Sequence, residues 1–258
     1  MRFGGEVNVA DGNEMVRAGE AGGRPASLAT YSVLAGLTPL IPIPLLDDLV
    51  KNYFRKRLVR SLAAGAGRAL TEEEVNALAS EPDSGCLRGC VVTALVYPLK
   101  AVFRKLFYFL EWKRAADLTS RTYHFGYLAL YAMRPRAGGA GSALDLRGAA
   151  AVGQAIEAVC KEAPIKPLEA AVGGTFRQSK RALSGAAVLL SSSLRSVTGR
   201  GRAEQVARAI ESVEPQEERQ LDPVVTRLQR SIANIPEEHF RTLRQRFDAR
   251  LGLPPVDA

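Results

Sequence analysis

The sequence predicts an all-α fold, an irregular multi-helix bundle around a proline-rich apolar segment, and three observations carry that prediction. Apolar residues recur at spacings of three and four along most of the chain. No hairpin dipeptide sits between alternating apolar runs, and β-branched stretches are short. The 258 residues are 47% apolar and 24% charged, the balance of a chain able to bury a core.

Three parts are expected. Residues 1–27 read as a flexible N-terminal tail, with Gly4, Gly5, Gly22 and Gly23 among charged residues and no basic start leading into an apolar run, so no secretory signal is expected. Residues 28–199 form a basic helical core domain. Residues 203–258, with ten acids against eight bases, form a more acidic C-terminal helical unit. Cys86, Cys90 and Cys160 are too few for a disulfide framework, which favours a reducing, cytoplasmic compartment.

Taken in chain order, Leu28 to Leu46 holds no charge over nineteen residues, long enough to cross a bilayer. Pro39, Pro42 and Pro44 each lack an amide donor and break such a helix, leaving a buried turn or a shallow hairpin at an interface. Lys51, Arg55, Lys56, Arg57, Arg60 and Arg68 follow without an intervening acid. Thr71 and Glu74 have capping-box spacing, in which each side chain satisfies the other's free amide, so a short helix runs from there to about Ser80. Pro82 and Gly85 break the chain. From Cys90 an amphipathic helix kinks at Pro98 and continues to about Tyr131, with internal bases that argue against a membrane span.

The glycine run Gly138, Gly139 and Gly141 reads as a linker to Ser142, which caps a helix over 143–161. A single helix then opens at Pro167 and Leu168. Its apolar stripe (Val172, Phe176, Leu183, Ala186, Leu190, Leu194) passes through Ser179 and closes on Gly199, with small residues such as Gly173, Gly174 and Gly185 expected to admit a close neighbour. Three tail helices are marked by Val206 and Ile210, by Leu221 to Ile232, and by Phe240 to Leu251, the last opened by Pro236 with Glu237 and Glu238.

The order of a small apolar helix, then Leu40-Ile41-Pro42-Ile43-Pro44, Asp47, and a helix reaching Ala63-Ala64-Gly65 resembles helical modules of bacterial membrane-associated proteins, including EcsC-type proteins and modules fused to GTPases. The resemblance spans about residues 28–65. It implies an all-helical protein on the cytoplasmic side of the inner membrane and brings no established reaction with it. This chain departs from the pattern in its unusually basic helix after the motif and in lacking a nucleotide-binding motif.

Net charge is +8, from 35 bases and 27 acids, which attracts anionic partners. The leading expectation is peripheral docking on an anionic membrane. Leu40, Ile41, Ile43 and Leu45 would serve as apolar contacts and Arg55, Lys56 and Arg60 as electrostatic ones. Tyr97, Tyr108 and Trp112, near Lys100, Arg104 and Lys105, suit headgroups or an ordinary protein surface equally. Nucleic acid is the alternative partner, though no recognised reading motif is present, and a protein partner is a further one.

If the long helix continues, Arg114, Asp117, Arg121 and His124 fall on its formerly apolar arc. They form either a polar network or a face turned to water, the simpler reading. Asp117 beside His124 also has the residue types for acid/base chemistry, the basis of an enzyme alternative, but without a nucleophile no catalytic residue is assigned. Cys86, Cys90, Cys160 and His124 lack zinc-site spacing, so neither metal nor cofactor is expected.

Overall fold

A nine-residue helix with no charge on any face has to be surrounded by protein, and α1 (Leu28–Gly36) is buried at every residue but Thr30. The structure, a computed structural model, describes residues 28–41, 43, 46–80, 104–134, 146–162, 166–197 and 202–253. Within them every regular element is a helix, as the sequence predicts. The expected tail over 1–27, the Pro98 kink, the 138–141 linker and the side chains of Tyr97, Lys100, Arg104, Lys105 and Tyr108 lie outside the described residues.

After α1 a 3-10 turn (Thr38–Leu40) carries Pro39 at its start, and Thr38 Oγ1 donates to the Ala35 carbonyl at 2.8 Å. The turn leads to α2 (Asp47–Gly65), where Asp47 and Asp48 complement the positive end of the helix dipole. Gly67, at φ 68°, reverses the chain into α3 (Glu72–Ala79). The capping box is present in full: Glu74 N donates to Thr71 Oγ1 and Thr71 N to the Glu74 carboxylate.

The long helix α4 (Arg104–Ala132) touches α1, the 3-10 turn, α2, α5 (Leu146–Glu162) and α6 (Lys166–Gln178). It lies antiparallel to α1. A Cβ on Gly36 would come within 2.9 Å of the Ala115 carbonyl, and one on Gly126 within 2.3 Å of Leu28 Cδ1, so two glycines at opposite ends of the contact set its closeness.

The helix expected over 167–199 is two helices. α6 ends at Gln178 and α7 (Lys180–Leu194) begins two residues later, parted by the buried Ser179. Arg227 Nη1 donates to Ser179 Oγ at 2.6 Å, from a helix that packs against both pieces, and that contact favours the break over an unbroken heptad stripe. Gly173 and Gly174 meet no neighbouring helix, so the expected close approach at these two positions is not made; at Gly185 the nearest neighbour is the Gln220 side chain.

α8 (Arg202–Glu211), α9 (Glu214–Ala233) and α10 (Glu237–Leu251) complete the described chain, α10 opening on Pro236 and closing on left-handed Gly252. α9 continues through Pro223 without a break, packs on α1, α6 and α7, and buries Leu221, Val224, Leu228 and Ile232 in the same core as α1 and α4. α10 lies across α5 and the C-terminal half of α4.

Candidate functional site

The apolar and basic residues expected to meet lipid are drawn largely inward. Ile41 is buried, Leu40 and Ile43 are half-buried against the core, and Leu45 lies outside the described residues. Arg55, expected at the surface, is 7% exposed: its guanidinium sits 3.8 Å from the Phe125 ring centroid and bonds Glu157 of α5. Arg60 holds Glu72 of α3 through two hydrogen bonds, 3.0 and 2.6 Å, which with the Arg60 and Lys56 charges keep the Glu72 carboxyl below its ordinary range. Arg57 reaches Glu214 of α9 at 3.3 Å, and Lys51 pairs with Asp48. Lys56 is half-buried. The basic run therefore has acids beside it after all, supplied by three other helices. Ile41 and Arg55 are interior residues and cannot be contact residues in this conformation.

Arg114, Asp117, Arg121 and His124 do not form one network. Arg114 and Arg121 are exposed, as the water-facing alternative required, Asp117 is half-buried, and His124 is fully buried. The face turns inward along α4 because α10 covers only its C-terminal half. His124 Nε2 lies 2.9 Å from His239 Nε2, and its Nδ1 has no partner, so Asp117 binds neither ring nitrogen. Desolvation and the neighbouring imidazole hold His124 down to about 3, and desolvation lowers His239 as well.

This pair opens a polar seam between α4 and α10 that sequence reasoning missed. Arg244 Nη1 donates to Tyr127 Oη at 2.6 Å and to Glu237 at 3.0 Å, while Tyr131 Oη donates to Asp248 at 2.7 Å. Phe240, Leu243 and Phe247 fill the gaps between these contacts. The signal that could have found it is the spacing of His124, Tyr127 and Tyr131 matched against His239 and Asp248; no local motif marks it.

A second polar cluster joins α1, α2 and α9. Glu214 accepts from Tyr31 Oη and from Arg57, each at 3.3 Å, and burial with the Glu214 charge pushes the Tyr31 phenol up. One turn on, Glu217 is fully buried with neither carboxylate oxygen hydrogen-bonded, and burial, with Glu214 adding repulsion, pushes it up to about 9.

The outward-facing chemistry lies at the start of α4. Phe109 is 66% and Leu110 40% exposed, and Lys113 and Arg114, one turn later, are exposed without a salt-bridge partner among the described residues. Trp112, on the inward side, stacks edge-on against Phe176 with centroids 6.3 Å apart. That contact brings the end of α6 and the start of α7 alongside, with Arg177, Lys180 and Arg181 exposed and likewise unpaired. Gly36 lies against Ala115 and Thr119, so the 3-10 turn with half-buried Leu40 sits at this same end of the bundle.

No described helix is long and apolar enough to cross a membrane, and no group of three or more metal-ligating side chains occurs among the described residues. Cys86 and Cys90 lie outside them, and burial raises the Cys160 thiol to about 12, away from reactivity. Comparison with protein families, characterised proteins and solved structures finds no match.

Proposed function

We propose that the protein attaches peripherally to the cytoplasmic face of an anionic membrane through the end of the bundle formed by the start of α4, the α6–α7 junction and the 3-10 turn. The observation that carries this reading is an exposed Phe109 and Leu110 at the same end of the bundle as five exposed cations that have no acidic partner among the described residues. Each base near such a surface adds about 1 kcal/mol. Inserting the phenylalanine adds up to about 2 kcal/mol, and the sum suits reversible attachment. The resemblance of residues 28–65 to membrane-associated helical modules supports the same reading. Nucleic acid would use the same cations, but an exposed phenylalanine and leucine at the same end of the bundle fit an acyl boundary better than a phosphate track.

Flotation with vesicles containing phosphatidylglycerol or phosphatidylcholine alone tests it. Binding is expected only to the acidic vesicles and is expected to weaken with salt. Lys113→Glu with Arg114→Glu should abolish it, and Phe109→Ser should weaken it. Arg60→Glu with Lys56→Glu makes the same change in net charge on a helix whose bases face acids, and should bind nearly as well as the parent. No flotation with acidic vesicles, or equal loss in both charge variants, overturns the proposal.

A further inference from the structure

The chain has only two histidines, 115 residues apart, and they meet inside the protein. At 2.9 Å one Nε2 must donate and the other accept, so the contact requires at least one neutral ring. No carboxylate touches either ring among the described residues. Among the described residues, the charged groups on the surrounding helices are engaged elsewhere, turned outward, or half-buried without a bond to either ring. On α10, Glu237 holds Arg244, Glu238 pairs with Arg241, and Asp248 accepts from Tyr131. On α5, Glu157 holds Arg55 of α2 and Glu162 holds Arg250. On α4, Arg121 is exposed and Asp117 half-buried; on α6, Lys166 and Arg177 are exposed and Glu169 half-buried; α1 carries no charge. A second proton on this pair would stand beside another imidazolium with nothing to balance it.

We propose that α10 is an acid-released latch, docked on α4 while the His124–His239 pair is neutral and freed when both rings take protons. Release uncovers the apolar face formed by Phe240, Leu243 and Phe247 and the α4 residues Tyr127 and Tyr131, which they cover in the docked state. Both histidines titrate lower in the docked form than the ordinary 6.5, so the open form binds protons first as pH falls. Docking is therefore complete above pH 6.5 and is lost progressively below it.

Peptide-resolved hydrogen exchange on the full chain between pH 7.5 and pH 4.5, corrected for intrinsic rates, tests the latch. Each histidine that ionises only in the open form raises the opening constant by about tenfold per pH unit below its free value. The α10 amides should follow that slope while those of α1 do not. His239→Gln keeps a neutral hydrogen-bonding group and removes one of the two protons, so the slope should fall to the roughly tenfold per pH unit that His124 alone contributes. A wild-type slope shared equally by α1 and α10, no slope at all, or an unchanged slope in the variant overturns the proposal. If the variant is already open at neutral pH, the wild-type imidazole nitrogen shifts decide. Two neutral rings while α10 is protected support the latch, and two imidazolium rings in a protected α10 overturn it.

Discussion

Glu217 occupies a position that the apolar stripe of α9 reserves for a hydrophobe: Leu221, Val224 and Leu228 continue the same face. Its acid is buried with both oxygens unpartnered and titrates near 9 rather than 4.5, so at neutral pH it sits protonated in the core. The unfolded chain ionises it above pH 4.5 and the native protein does not until about 9. The stability this difference contributes is whole below 4.5 and drains away as pH rises towards 9. Glu217→Gln removes the drain. Urea unfolding should show the variant level with the parent near pH 4.5 and about 1–3 kcal/mol more stable at pH 7, with a flatter pH profile. Residues of this kind were only half visible beforehand. An acid on an apolar stripe can be read from spacing, but the tie of Glu214 to Tyr31, 183 residues away, cannot. His124 lies on an arc whose simpler reading from spacing is a face turned to water, and it is buried instead: its partner is His239, near only in space, and not Asp117, near in sequence.

The helices themselves were legible where the signal was local. The capping box at Thr71, the Pro236 opening with its acids and the Gly252 stop all depend on atoms within a few residues of one another, and each stands where spacing put it. The α6–α7 break was not legible, since the stripe continues through Ser179 and only Arg227 of α9 reveals the interruption. Glycine roles divide the same way. Composition pointed to Gly173 and Gly174, whereas the close approach is at Gly36 and Gly126, where α1 lies on α4. Gly36→Ala puts a methyl 1.8 Å from Thr119 Oγ1 and 2.9 Å from a backbone carbonyl, and should cost about 2–3 kcal/mol. Gly174→Ala meets nothing within 4 Å and should stabilise by about 0.5–1 kcal/mol through helix propensity alone. Thermal or urea unfolding of the two variants should therefore move in opposite directions; a loss in both would mean that α6 is more crowded than its backbone shows.

Across the whole molecule, charge read along the chain and charge read in space give different maps. The six bases from Lys51 to Arg68 look like an unopposed cationic face, yet α2 is where the bundle is cross-braced: Arg55 ties it to α5, Arg57 to α9 and Arg60 to α3. The exposed pair among these, Arg60 with Glu72, contributes little, being screened by water. The buried one behaves differently, because removing either partner strands a charge inside the protein. Arg55→Met leaves Glu157, whose side chain is 15% exposed, without its guanidinium and should cost about 3–5 kcal/mol in urea unfolding. Arg55→Met with Glu157→Leu removes both charges and keeps the volume, so most of that loss should be recovered. If the double variant is as unstable as the single one, then the stacking of Arg55 on Phe125, and not its charge, holds α2 against the core. If recovery is nearly complete, the bracing charges of α2 are replaceable by apolar contact, and the cations free to act on a partner are those at the start of α4 and the α6–α7 junction.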